Sequence, residues 1–220
     1  MSIDWSTLGP VFLDAIGQTL WMAIATLIIG GFLGLLLGVL LYTTRPGGIL
    51  ANRFVFTALN LAVNIIRPIP FIIFITAIGP LTIAVVGTQL GTGAATFALV
   101  VAATFGISRI VEQNLVTIDP GVIEAARAMG AGPWRIIGTL LVPEALGPLI
   151  LGYTFVFVAV VDMTAVAGAV GGGGLGDFAI TYGYHRFNWA VTWLAVITII
   201  VLVQAAQFLG NRLARKALRH

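Results

Sequence analysis

QTLWMAIATLIIGGFLGLLLGVLLYTT, residues 18–44, carries no charge and lies between Asp14 and Arg45. A bilayer is crossed by a helix of about 20 apolar residues, so this stretch reads as a span over roughly 17–42. Gly30, Gly31, Gly34 and Gly38 recur within it at helical spacing, and small residues so placed let a second helix approach closely. The rest of the chain has the same character. Of 220 residues, 59% are apolar and 9% are charged, with a mean hydropathy of +1.07. A soluble domain carries roughly 25% charged residues, so this surface faces lipid. The segment ahead of the first span holds Asp4 and Asp14 and no basic n-region, and does not read as a cleaved leader.

Further spans follow at about 57–78, 93–111, 145–169 and 189–209, each near the length that the bilayer requires. The second contains Arg67-Pro68-Ile69-Pro70 in its middle and stops at Gly79-Pro80. Too few residues separate Arg67 from Arg109 for two complete spans and a connection, so Arg67 is expected inside the membrane-embedded part of the second. Between spans three and four, about 117–143, the chain turns polar and helix-forming. No internal repeat is visible. The expected fold is all-α, a single transmembrane domain over residues 1–220 with five spans.

Cytoplasmic loops collect Lys and Arg. With the N-terminus outside, the cytoplasm receives Arg45, Arg53, Arg109, Arg127, Arg135, Arg212, Arg215, Lys216 and Arg219, and the exterior only Arg186. The reverse orientation inverts that count, so the chain is N-out and C-in. Trp21, Trp189 and Trp193 then mark the outer interface and Tyr42 the inner one, as an aromatic belt would. The pI near 9.8 follows from these span-end cations and implies no nucleic acid.

Several chemistries are excluded. There is no cysteine, and His185 and His220 stand far apart, which leaves no metal set. No nucleophile or carboxylate pair is poised for catalysis. Gly171-Gly172-Gly173-Gly174-Leu175-Gly176 satisfies G-x-G-x-x-G literally. An apolar span precedes it, however, and no acid follows at the dinucleotide-binding distance. There is no G-x-x-x-x-G-K-[ST] either, so any ATP and Mg belong to another subunit, and this chain is expected to bind no cofactor. It is not expected to be an enzyme.

The polar loop reads EAARAMGAGPWRIIGTLLVPEAL, residues 124–146. Glu124-Ala125-Ala126, then Gly130, then Leu140, Val142 and Pro143 resemble the EAA loop of binding-protein-dependent ABC importer permeases, with Leu140 and Val142 as conservative departures. A short helix here suits a groove of a soluble partner. Gly130 is expected to end it in the left-handed conformation, Glu124 to suit its first turns, and Trp134 to anchor the contact. The bland alternative, a helix of high propensity and nothing more, does not account for the spacing. TRPG (44–47), NIIRPIPFIIF (64–74), VGT (86–88), RIVEQNL (109–115), AGAVGGGGLGD (167–177), AITYGYHRF (179–187) and QFLGNRL (207–213) extend the resemblance to permeases of methionine-type ABC importers. That resemblance implies the type I importer permease fold in a bacterial inner membrane. It also implies a homodimer with two copies of a separate ATPase, and an extracytoplasmic substrate-binding protein or lipoprotein.

Arg67 is costly within a bilayer and should face the bundle interior or water; Pro68 and Pro70 free backbone carbonyls that a cavity must satisfy. Asp162 lies in the outer half of the fourth span. The two invite either a structural ion pair or recognition of a zwitterion, Arg67 near its carboxylate and Asp162 near its ammonium. Met163 and Val166, at i and i+3, offer a soft apolar lining or ordinary packing. Gly171, Gly172, Gly173 and Gly174 with Asp177 are candidates for an outer gate or binding-protein docking, with His185 and Arg186 beside them. Arg109, Glu112 and Asp119 are expected to form a solvated cytoplasmic face. The function expected is an amino-acid permease, methionine first. The alternatives are an importer for another small amino acid, or a proton-coupled secondary transporter, which the missing repeat disfavours.

Overall fold

The computed structural model describes residues 5–217; Asp4, Arg219 and His220 lie outside the described residues. The chain is helical, with no strand among the described residues. Helix α1 runs Trp5–Thr44, about 60 Å at 1.5 Å per residue and well beyond one bilayer crossing. It starts ahead of the expected span because Leu8, Val11, Phe12 and Ile16 pack on Phe178 and Leu175 from the other end of the chain. A π turn at Thr26–Gly30 interrupts it. Gly30, Gly34 and Gly38 of its glycine stripe lie against the third span. A Cβ at Gly34 would stand 2.6 Å from that of Ile107, and one at Gly38 2.5 Å from the Ser108 carbonyl. No larger residue fits there without separating the helices.

The second span is not continuous. Helix α2 (Arg53–Ile66) starts at Asn52, whose side chain accepts from the Phe54 and Val55 amides. It ends at Arg67, and α3 (Phe71–Ala77) departs at 109° to it. Pro68 and Pro70 cannot donate to the helical ladder, so the break falls at 67–70 and Arg67 sits at a corner rather than mid-helix. Helix α4 (Gly79–Val86) follows with Pro80 in its first turn and closes on left-handed Gly87. Helix α5 (Thr92–Val116) extends past residue 111, the expected end of the third span, up to the start of the polar stretch.

Helix α6 (Pro120–Ala128) is the loop helix. A helical stretch at 133–144, labelled α7, includes a π turn at Ile137–Leu141. Helix α8 is Leu146–Ala169 and α9 is the short Gly174–Phe178. After irregular turns, α10 (Trp189–Ala217) carries the helix through what reads as a basic tail. Four helices are long and apolar enough to cross a membrane, and the bent pair α2–α3 makes a fifth. The main core joins α1, α5, α6, α7 and α8 through residues such as Ile107, Val111, Ile123, Leu141 and Val160.

Candidate functional site

The loop helix α6 is built to stop and turn. The Asp119 carboxylate accepts from the Gly121 amide at 2.8 Å, and Pro120 occupies the first turn, where its missing N–H costs nothing. At the other end the Gly130 amide donates to the Arg127 carbonyl (2.9 Å) and the Ala131 amide to that of Ala126 (3.0 Å). This pair of bonds is a Schellman motif, and Gly130 adopts φ +82° to make it. Ile123 and Ala126 face the chain's own core, whereas Glu124 and Ala125 face outward. Ala126 therefore lets α6 settle on its own chain, and only Ala125 offers closeness to a partner. Arg127 reaches the Gly48 carbonyl, which ties α6 to the turn after α1. Met129 is 82% exposed and Trp134 75%. Two large apolar side chains thus stand in the open on the cytoplasmic side, beside Glu124.

The corner at Arg67 opens a cavity of about 450 Å³. Arg67 and Gln113 give it polar edges, and Phe71, Phe74, Phe155 and Met163 give it soft walls. The Arg67 amide donates to the Val63 carbonyl at 3.0 Å, but its guanidinium has no hydrogen-bond or ion-pair partner among the described residues. Asp162 is exposed on another side of α8 and neither lines the cavity nor pairs with Arg67. The geometric reason is simple: adjacent helical residues diverge by about 100°, so Met163 and Asp162 cannot face one narrow space. Val166 does not line the cavity either.

The glycine run is held from inside. Gly171, Gly173 and Gly174 all take positive φ, which glycine adopts without steric cost. The first amides of α9 are capped by side chains of α1: Gly174 donates to Gln18 Oε1 (2.7 Å) and Leu175 to Thr19 Oγ1 (2.8 Å). Gln18 is itself oriented by Asp14. Gly172 and Gly174 are buried, and Asp177 is half-buried and accepts from Thr181. What stands outward is the neighbouring turn, Tyr184, His185, Arg186 and Phe187.

One cluster departs from the expectation of a solvated face. Glu112 is 9% exposed and pairs with Arg109 at 2.6 Å. Arg109 also donates to Asn60 (2.8 Å) and Asn64 (2.6 Å) on α2. A buried charge persists only when paired and hydrogen-bonded, and this network supplies both, which is why α5 runs on past its apolar stretch. Asn60 and Asn64, four apart on an apolar helix, are the available sequence signal, since such residues share a face. Asp119 stays outside as the cap of α6.

The profile of the "Binding-protein-dependent transport system inner membrane component" family matches residues 30–219. The chain is 42% identical over 214 residues, 97% of its length and 95% of the relative's, to a "Probable D-methionine transport system permease protein MetI" of Vibrio cholerae. It is 41% identical over 172 residues, 78% of each chain, to the "Methionine import system permease protein MetP" of Bacillus subtilis. Among solved structures it superposes on a chain of an inward-facing MetNI methionine ABC transporter with a TM-score of 0.94, at 40% identity and 99% coverage of both. A more distant amino acid ABC transporter, TM-score 0.79 at 17% identity, shares the fold.

Proposed function

The chain belongs to the family of binding-protein-dependent transport inner-membrane components, and from that premise we propose that it carries methionine across the bacterial inner membrane. It is the permease of an ABC importer, and ATP hydrolysis falls to a separate subunit. The functional unit is a permease dimer with ATPase subunits. Methionine is favoured because the relatives matched over most of the chain are named for it. The cavity's chemistry agrees with that reading. A thioether and an aromatic wall suit a methionine side chain, and the unpartnered Arg67 suits a carboxylate. Asp162 has no place in this reading.

The coupling surface we assign is α6 with its flanks: Glu124 and Ala125 facing the ATPase, Met129 and Trp134 as exposed anchors, and Gly130 setting the turn. Ala126 supports it from beneath. An extracytoplasmic binding protein would dock on the outward turn at 184–187 and on exposed Gly171, with Gly172, Gly173 and Gly174 shaping the backbone of the glycine run.

Arg67→Gln is expected to lower methionine uptake at least tenfold in proteoliposomes holding the complete importer. Met163→Ala should weaken apparent affinity by about four- to fifteenfold, the worth of one or two buried methylenes, and Asp162→Asn should leave both parameters within twofold. Uptake kinetics with each variant check this. Normal kinetics in Arg67→Gln would remove the cavity from the solute's route.

A further inference from the structure

Helices α1, α8 and α10 enclose a second space on a different side of the bundle, a groove of about 530 Å³. Its walls include Leu27, Leu35, Leu146, Phe157, Leu209 and Leu213. The polar groups bordering it are spent: the Tyr153 hydroxyl donates to the Gly31 carbonyl at 2.7 Å, and Thr154 to the Ile150 carbonyl at 2.8 Å. Two glycines set its width. A Cβ at Gly31 would stand 2.9 Å from the Tyr153 ring, and one at Gly210 would collide with Thr154. An apolar space with its polar groups satisfied stays free of water and takes apolar occupants.

Its length and its ends identify the occupant. From Leu27 to Leu35 the groove follows α1 for about 12 Å, and from Leu146 to Phe157 it follows α8 for about 16 Å. That is about half of the ~30 Å hydrocarbon core, the depth of one leaflet. Leu146 and Leu213 place one end at the cytoplasmic side. Lys216 follows Leu213 by one helical turn, and the Arg212 guanidinium lies over the Phe208 ring at 4.0 Å. Among the described residues, the salt bridge formed is Arg109–Glu112, so neither cation has a carboxylate partner. Cations beside an intramembrane groove on the cytoplasmic side select anionic headgroups.

We propose that this groove binds one acyl chain of an anionic phospholipid from the cytoplasmic leaflet, with the headgroup on Arg212 and Lys216. The occupant would touch Val142 and Leu146, where the coupling loop joins α8, and so would brace the base of that loop. This rests only on the chain's membrane fold and not on the identity of its solute.

The test is native mass spectrometry of the assembled importer, titrated separately with palmitoyl-oleoyl phosphatidylglycerol and with phosphatidylcholine of the same chains. The wild type should retain two phosphatidylglycerols per permease dimer, roughly tenfold more tightly than phosphatidylcholine. Arg212→Gln with Lys216→Gln should abolish that preference. Because the chain has no cysteine, Leu209→Cys gives a second readout: a membrane-permeant maleimide should label it in delipidated complex, and phosphatidylglycerol should protect it. Equal affinity for the two lipids, or a preference that survives the double substitution, overturns the proposal. So does a Leu209→Cys permease whose thiol resists labelling without lipid and cross-links to its counterpart, since a second copy would then cover the groove.

Discussion

A Gly130→Val permease is expected to insert, dimerise and bind its ATPase, yet to lose most ATP-driven uptake. Gly130 sits at φ +82° with no atom near its absent Cβ, so the substitution meets backbone strain and no clash. The left-handed conformation costs an ordinary L-residue about 1–2 kcal/mol, and a β-branched one more. The loop avoids that cost by releasing the Schellman bonds to Ala126 and Arg127, which swings Met129 and Trp134 off their positions. Asn tolerates left-handed φ, so Gly130→Asn should keep most of the uptake. The ratio of transport to ATP hydrolysis reads the effect. It should fall at least tenfold for Val and less than threefold for Asn. Equal coupling ratios in all three proteins would detach Gly130 from energy transfer.

The second large effect is expected at Arg109. Arg109→Ala strands Glu112 in a site where it is nearly enclosed, and breaking a buried pair from one side costs about 3–5 kcal/mol. For a chain of this size that lowers the melting temperature of the purified complex by roughly 6–20 °C. Replacing both members, as Arg109→Met with Glu112→Leu, removes the stranded charge and should recover more than half of the loss, because the desolvation penalty goes with the pair. Thermal unfolding of single and double variants side by side checks this. A double variant no more stable than the single would mean that the pair does not act as a unit.

Arg109 also shows what a sequence can and cannot disclose. Hydropathy and charge placement mark α1, α5, α8 and α10, because each crossing is a local property of about 20 residues. The loop helix is legible for the same reason, because its triplet and terminating glycine lie within seven positions, whereas Asp119, read as part of a solvated face, turns out to be its cap. The Arg109 network is not. Its asparagine partners are 45 and 49 residues away, and only the packing of α2 on α5 brings them to Arg109. Asp162 escapes for a subtler cause. Its depth is readable from the charge map, but its direction around α8 depends on which face meets the cavity. The prolines announce a break in the second span but not its 109° turn. That angle makes Arg67 a corner residue and opens the cavity that it lines.

This permease is expected to move solute only when a separate ATPase drives it. The direct measurement is uptake of labelled methionine into proteoliposomes containing permease, ATPase and binding protein, with ATP inside or outside and with or without an imposed proton gradient. Uptake should require ATP on the cytoplasmic face and the binding protein on the other, and be indifferent to the proton gradient. Accumulation by the permease alone, driven by protons without ATP, would show that no separate ATPase is needed.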